Sequence, residues 1–277
     1  MLGKLFKHEF KDTAKLMLLI YSMFIAITLI GTLVLSNDAI QNSESTPINI
    51  ILAVLMIFYI LSIFALFIIT YVYMCVHFYK TMYSDQGYLT HTLPVKSSTL
   101  FHVKLFTSLV WMVCSMALMI LSIFLLVIGA SHGEIFSAEV AAELHQMSLE
   151  FEQDMGFPMS VFWIHMLLSI LLSCFTYLLW VFTSASVGQL FSQYKVVAAI
   201  VTGVVLYFVE QIISVIIMFS TGYTSFMTDA FSAAGGNLSV GNLFGNLMAA
   251  TYIWSILLCV VYYVVCRIII KKHLNLE

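Results

Sequence analysis

Long apolar runs alternate with short polar segments along the whole chain. Six of the runs are long enough for a helix to cross a hydrocarbon core of about 30 Å. They cover residues 16–35, 48–78, 105–130, 159–187, 196–220 and 246–270. Because backbone polar groups in lipid must be hydrogen-bonded within the chain, these runs predict six transmembrane helices. The second run is longer than crossing requires, so we expect it to tilt or to extend beyond the bilayer.

The composition supports this pattern. Of the 277 residues, 62% are hydrophobic and only 9% are charged, whereas a soluble domain has about a quarter charged residues. So few charges cannot cover a water-facing surface of this size. We therefore predict an all-α integral membrane protein with a single transmembrane domain, residues 1–277. No CxxC pattern or Cys/His cluster indicates a metal site.

The positive charges fall on one side of the predicted membrane. All 11 Lys and Arg residues lie before the first run, in the even-numbered connections or at the end of the sixth run. They are Lys4, Lys7, Lys11, Lys15, Lys80, Lys96, Lys104, Lys195, Arg267, Lys271 and Lys272. Since basic residues remain cytoplasmic, both the N- and C-termini are predicted to be cytoplasmic. The odd-numbered connections, which contain acidic residues and no basic ones, then face outward.

Residues 1–15 have the pattern of an amphipathic helix with one apolar and one basic face. The apolar residues are Leu2, Leu5, Phe6 and Phe10, and the basic ones are Lys4, Lys7, Lys11 and Lys15. We predict an interfacial helix that lies flat on the inner membrane surface, with these lysines near anionic headgroups. The alternative is a basic flank that continues directly into the first membrane helix.

Two outer segments have features of their own. Segment 131–158 is acidic and repeats apolar residues at helical spacing, which predicts an amphipathic helix. The repeated residues are Phe136, Val140, Leu144, Met147 and Phe151. Either this stripe packs across the outer ends of the membrane helices, or it forms an outer gate or a patch that meets a cationic amphipathic substrate. Segment 221–245 is rich in small residues, and its Gly241 and Gly245 form a GxxxG pattern that favours close helix packing.

Residues 79–104 form the longest polar interruption on the basic side. Residues 85–87, Asp-Gln-Gly, indicate a turn, since glycine adopts conformations that are closed to other residues. Pro94 disfavours helix at the preceding residue, and Ser97 and Ser98 can cap the helix that follows. The pattern predicts a turn or short helix, a kink and a rigid connection to the third membrane helix.

This cytoplasmic segment resembles the inner loop of ABC-2-type permeases. Residues 92–97, Thr-Leu-Pro-Val-Lys-Ser, are similar to the family's "LPVS(R/K)" turn, which follows an acidic residue and a glycine, here Asp85 and Gly87. The order of elements along the chain is similar as well. The stretch GYLTHTLPVK looks closest to a Gram-positive subgroup associated with antimicrobial-peptide export or immunity, although Tyr88 replaces that family's threonine.

The resemblance implies an ABC-2 (type V exporter-like) fold and a permease subunit of an ATP-driven exporter in a bacterial cell membrane. Such a subunit pairs with a second permease subunit, as a homodimer or heterodimer, and binds a separate ABC ATPase. The ATPase holds ATP and Mg²⁺, so no cofactor is expected in this chain, and the implied substrate is amphipathic or hydrophobic, for example a peptide. The residues assigned to ATPase coupling are Asp85, Gly87, Tyr88, Leu89, His91, Leu93, Pro94 and Lys96.

Glu210 and Gln211 lie near the middle of the fifth run. An ionised carboxylate at that depth costs about 2.5–3.5 kcal/mol on insertion scales, so it should face protein or water. Two interpretations stay open: a polar point on the substrate path or dimer seam, or a protonated carboxyl that joins two helices. Tyr262, near a predicted interface, is interpreted as one of the aromatic belt residues.

Other function classes receive less support from the sequence. There is no HExxH and no phosphate loop, so we expect no enzymatic activity in this chain and ATP hydrolysis in a partner. The basic residues are too dispersed for a nucleic-acid-binding patch. Two alternatives to the exporter subunit remain. One is a non-transporting sensor that couples the acidic outer segment to an inner partner, and the other is a proton-coupled secondary transporter that uses Glu210.

Overall fold

The computed structural model describes residues 2–37, 45–84, 86–87, 95–191, 193–221 and 240–272. These residues are helical apart from short turns. The main helices are α1 (Leu2–Leu35), α2 (Thr46–Tyr83), α3 (Ser97–Ala130), α4 (Ala138–Met155), α5 (Met159–Gly188), α6 (Lys195–Ser220) and α7 (Val240–Lys272), and a 3-10 helix (Glu134–Phe136) precedes α4. All of them except α4 and the 3-10 helix are long and apolar enough to cross a membrane. The predicted all-helical class with six membrane helices is therefore confirmed, whereas the side on which the termini lie stays a prediction.

The six long helices present apolar side chains on their outer surfaces. In α6, Gly203 is the one buried residue, while Ile200 and Phe208 are about 60% exposed. Exposure of such a surface to water is unfavourable, whereas exposure to lipid is not, because lipid tails are as apolar as these side chains. The exposed apolar surface therefore indicates a multi-pass membrane protein.

Helices α2 and α3 flank the predicted cytoplasmic segment. With 38 residues, α2 is about 57 Å long at 1.5 Å per residue, which exceeds a hydrocarbon core of about 30 Å. The expected excess length of the second run is confirmed. α3 begins at Ser97 and continues unbroken to Ala130, so the predicted helical junction between the segment and the third membrane helix is confirmed too.

α1 joins the basic N-terminal segment and the first apolar run in one continuous helix, Leu2–Leu35. This continuity agrees with the second interpretation of residues 1–15, in which the basic flank runs directly into the first membrane helix. The lysines of residues 1–15 are exposed, as the amphipathic pattern predicts. Whether this part of α1 lies flat at the membrane surface stays a prediction.

The contacts divide the chain into two compact units. Unit 1 comprises Met1–His77 and Thr99–Leu144, and unit 2 comprises Phe78–Ser98 and His145–Glu277. Each contains most or all of three long helices. The core of unit 1 combines residues of α1, α2 and α3, namely Met17, Tyr21, Phe24, Leu66, Met74 and Trp111. The single transmembrane domain predicted from the sequence stays a prediction.

In unit 2, α5 packs against α6 and α7. The approach of α5 to α6 depends on small residues. A Cβ atom added at Gly188 would lie 2.6 Å from both the Cβ and the backbone nitrogen of Ala199, and one added at Gly203 would lie 3.3 Å from Ser184 Oγ. Such close backbone approach is typical of membrane helices that pack through small residues.

Gly188→Val should destabilise unit 2, because the new side chain meets the backbone of α6 and cannot be accommodated by a rotamer change. Overpacking of this kind costs roughly 1–3 kcal/mol. Thermal unfolding in detergent measures the effect. Gly245→Val is the control, because no atom lies within 4 Å of a Cβ added at that position. Equal melting temperatures for the two variants would contradict the close packing of α5 on α6.

The GxxxG residues Gly241 and Gly245 have different surroundings. Gly241 lies against the backbone of Met155 and leaves no space for a side chain, whereas no described residue has an atom within 4 Å of a Cβ added at Gly245. Among the described residues, close packing at this pattern therefore involves Gly241 and not Gly245. The remainder of the small-residue segment, residues 222–239, lies outside the described residues.

Helix α4 confirms the helix predicted in the acidic outer segment. Its apolar stripe is only partly covered. Phe151 packs edge-on against Phe157 and Phe162, but Leu144 and Met147 are each 55% exposed. At the other end of the stripe, Phe136 contacts Phe124 of α3 edge-on. Both ends of the stripe therefore pack against this chain, whereas its middle, at Leu144 and Met147, is largely exposed.

Candidate functional site

The predicted coupling segment is described at its two ends. Gly87 is buried in a turn and donates its backbone N–H to the carbonyl oxygen of Ser84 at 2.6 Å. Lys96 is exposed and directly precedes α3. Six predicted coupling residues lie outside the described residues: Asp85, Tyr88, Leu89, His91, Leu93 and Pro94.

The start of this segment is fixed within unit 2. The ring of Phe78 stacks on Phe182 of α5, with 3.7 Å between ring centroids. Five residues later, the hydroxyl of Tyr83 lies 2.6 Å from Ser186 Oγ, which also lies 3.1 Å from Cys266 Sγ of α7. All of these side chains are buried. Tyr83, at the end of α2, is therefore held against α5 by buried contacts.

A buried ionic cluster in unit 1 includes His77, which lies two residues before the coupling segment, and Lys104, which is the last residue of that segment. One carboxylate oxygen of Glu9, Oε1, accepts hydrogen bonds from His77 Nε2 at 2.7 Å and from Lys104 Nζ at 2.8 Å. The side chain of Lys104 is only 4% exposed, and that of Glu9 is 15% exposed. His77 belongs to α2 and Lys104 to α3, so α1 holds both neighbouring helices through a single oxygen atom.

Contacts between α1 and α3 continue from this cluster along the helices. Trp111 Nε1 donates to Thr13 Oγ1 at 2.8 Å, and its ring stacks on Phe10 at 4.6 Å. Eight residues after Thr13 on α1, the hydroxyl of Tyr21 lies 2.8 Å from both the carbonyl oxygen of Trp111 and Ser115 Oγ. These buried hydrogen bonds stabilise a fixed arrangement of α1 on α3.

Sequence reasoning missed the role of Glu9. It treated the N-terminal segment as lysines opposite apolar residues and left its two acidic residues unassigned. The signal was present, because Glu9 follows Phe6 by three residues and precedes Thr13 by four, so it shares the face that packs inward. Asp12, the other acidic residue, is exposed.

Glu210 of α6 is half-buried in unit 2, and its carboxylate lies near the hydroxyl of Tyr262 in α7. The neighbouring Gln211 is exposed. Tyr262 is 4% exposed, and its backbone oxygen accepts a bond from Thr183 of α5. The interpretation of Tyr262 as a belt residue is therefore wrong, because its side chain is buried within the protein instead of exposed at the protein surface.

Helices α5 and α7 are joined by further polar contacts. The hydroxyl of Tyr252 donates to the carbonyl oxygen of His165 at 2.8 Å and accepts a bond from Ser169 at 3.1 Å. Thr176 Oγ1 lies 3.1 Å from Cys259 Sγ. Polar side chains thus recur along one seam, where they give the packing of two apolar helices a defined register.

A GxSxG pattern occurs at residues 129–133 and has no hydrolase geometry. In hydrolases this pattern forms a sharp turn between a strand and a helix. Here Ser131 follows α3, and its hydroxyl donates to the carbonyl oxygen of Ile128. The pattern therefore provides no candidate nucleophile.

Comparison with protein-family models, curated proteins and solved structures found no match to this chain. A functional proposal must therefore rest on its own residues, contacts and charges.

Proposed function

We propose that this chain is the membrane-spanning permease subunit of an ATP-driven ABC exporter. A separate ATPase would dock on the segment between α2 and α3, and a second permease subunit would complete the membrane pathway. The substrate class that suits the proposal is amphipathic or hydrophobic, with peptides as the first candidates. The chain would lie in a bacterial plasma membrane.

The observation that carries the proposal is the connection of the segment to helices on both sides. α3 is unbroken from Ser97 onward, and α2 ends at Tyr83, whose hydroxyl is anchored on α5. A force transmitted to Tyr83 or to Ser97 would therefore displace membrane helices, because helices transmit force along their axis with little bending.

The mechanism follows from this connection. Closure of the partner ATPase around ATP would press on Asp85–Lys96. The start of α3 would tilt, and α5 would be displaced through Tyr83 and Ser186. These movements would change the side of the membrane to which the seam between the two permease subunits opens.

Purification from native membranes tests the assembly. A tagged chain should copurify with a protein that carries a phosphate loop and hydrolyses ATP. Vanadate, which traps ABC ATPases after hydrolysis, should inhibit the purified complex. Purification of the chain without any ATPase, from membranes in which its neighbouring genes are expressed, would contradict the proposal.

A second candidate function is a proton-coupled transporter, which the position of Glu210 near the hydroxyl of Tyr262 favours. A carboxylate in a membrane helix beside a buried tyrosine is a suitable group for binding a proton. The same contact also fits a structural link between α6 and α7. The two functions differ in whether transport requires Glu210 to bind and release a proton.

Glu210→Gln separates these two functions. The amide keeps a hydrogen-bond acceptor for Tyr262 but cannot release a proton. In the exporter, the variant should assemble with the ATPase and keep ATP-driven transport, with an altered preference among substrates. Uptake measured in liposomes under ATP and under a proton gradient gives the answer. Loss of gradient-driven transport in the variant, together with its presence in the wild type, would favour the second candidate.

A further inference from the structure

We propose that Glu9 is a positioning residue that fastens α1 to the coupling segment, so that α1 moves with this segment during ATP turnover. This inference rests on the proposed function. It assigns to α1 an active part in the movement instead of the passive role of a basic membrane anchor.

The geometry of the cluster supports this role. His77 lies two residues before the coupling segment, residues 79–104, and Lys104, in the second turn of α3, is the last residue of that segment. Both donate to the same carboxylate oxygen of Glu9, at 2.7 and 2.8 Å. Glu9 therefore fixes the positions of these two residues relative to each other and to α1. A shift of either residue therefore strains a buried hydrogen bond to α1 or moves α1 with it.

Stability alone does not explain a charged cluster at this position. Burying Lys104 costs desolvation energy, and apolar residues of similar volume are often as stabilising as a buried ion pair, or more so. Among the residues that the structure describes, both ion pairs involve Glu9. Charged groups do provide a defined geometry, because the hydrogen bonds form only in one relative position of the three helices.

Contacts that follow Glu9 along α1 extend the connection between α1 and α3. Thr13 and Tyr21 are hydrogen-bonded to α3 at Trp111 and Ser115, so α1 and α3 would move as a pair over several turns. The exposed lysines of α1 point away from these contacts. Movement of the segment would therefore shift α1 and its lysines along the membrane surface.

Spin-label distances test the proposal without a known substrate. Labels at Lys11→Cys on α1 and Tyr194→Cys before α6 use two exposed positions, in a chain whose five native cysteines are replaced by serine. The complex with its ATPase is measured without nucleotide and after trapping with ATP and vanadate. We expect the distance between the labels to change on trapping. The variant Glu9→Leu/Lys104→Leu should still bind the ATPase and hydrolyse ATP but lose the distance change.

A second variant guards against misfolding. His77→Phe leaves the pair of Glu9 and Lys104 intact and removes the hydrogen bond from α2 to Glu9, so no buried charge becomes unpaired. It should reduce the distance change while ATP hydrolysis continues. A full distance change in both variants, or no change in a wild-type complex that hydrolyses ATP, would overturn the role of Glu9. A wild-type chain that binds no ATPase would instead refute the proposed function.

Discussion

Glu9→Gln should be the most destabilising single substitution in unit 1. It leaves the ammonium group of Lys104, which is 4% exposed, without a carboxylate partner in a buried position. Breaking a buried ion pair by removing one partner costs about 3–5 kcal/mol. The expected result is a large fall in the melting temperature in detergent and in the yield of folded protein.

Two controls show whether the effect comes from the unpaired charge. Asp12→Asn removes an exposed acidic group from the same helix and should leave the melting temperature unchanged. Glu9→Leu/Lys104→Leu removes both charges and should recover most of the stability, because apolar pairs often replace buried ion pairs without loss. If the double variant were less stable than Glu9→Gln, the account of the cluster would be wrong.

Replacing Asp85 and Pro94 together by alanine should abolish binding of the ATPase. The resemblance places these residues in the docking segment, where Pro94 restricts the backbone and Asp85 supplies a charge. Loss of both changes the shape and the electrostatics of the contact. We expect the variant to reach the membrane and fold, with no ATPase recovered when it is purified by its tag.

Substitution elsewhere provides the matched control. Glu139→Gln removes one acidic group from α4, on the predicted outer side, and should leave recovery of the ATPase at the wild-type level. Equal recovery with the doubly substituted segment would place the docking contact outside residues 79–104. The orientation predicted from the basic residues would be contradicted if Glu139→Gln alone prevented ATPase binding.

The sequence predicts the membrane helices well because lipid imposes a strong constraint. An apolar run of sufficient length must become a helix that satisfies its own backbone. The predicted end of the third run, Ala130, is also the last residue of α3. The start differs, because the sequence predicts Ser97 and Ser98 as capping residues and both are already helical. The helix of the acidic outer segment followed from the spacing of its apolar residues.

Side-chain partners across helices were not predictable in the same way. The contact between Glu210 and Tyr262 joins residues that are far apart in sequence, and nothing local distinguishes Tyr262 from an interfacial tyrosine. The cluster around Glu9 combines residues from three helices, so its assembly depends on their packing. The sequence marked Glu9 only by its place on the inward face of α1, and it gave no indication that His77 and Lys104 share one oxygen atom.

Transport by the reconstituted complex shows whether ATP hydrolysis in a partner subunit drives this chain. The chain is placed in liposomes alone and together with its ATPase, and a panel of fluorescently labelled amphipathic peptides is offered under ATP or under an imposed proton gradient. The account predicts transport of at least one peptide only when the ATPase is present and ATP is hydrolysed. Full transport by the chain alone, driven by the proton gradient without nucleotide, would contradict it.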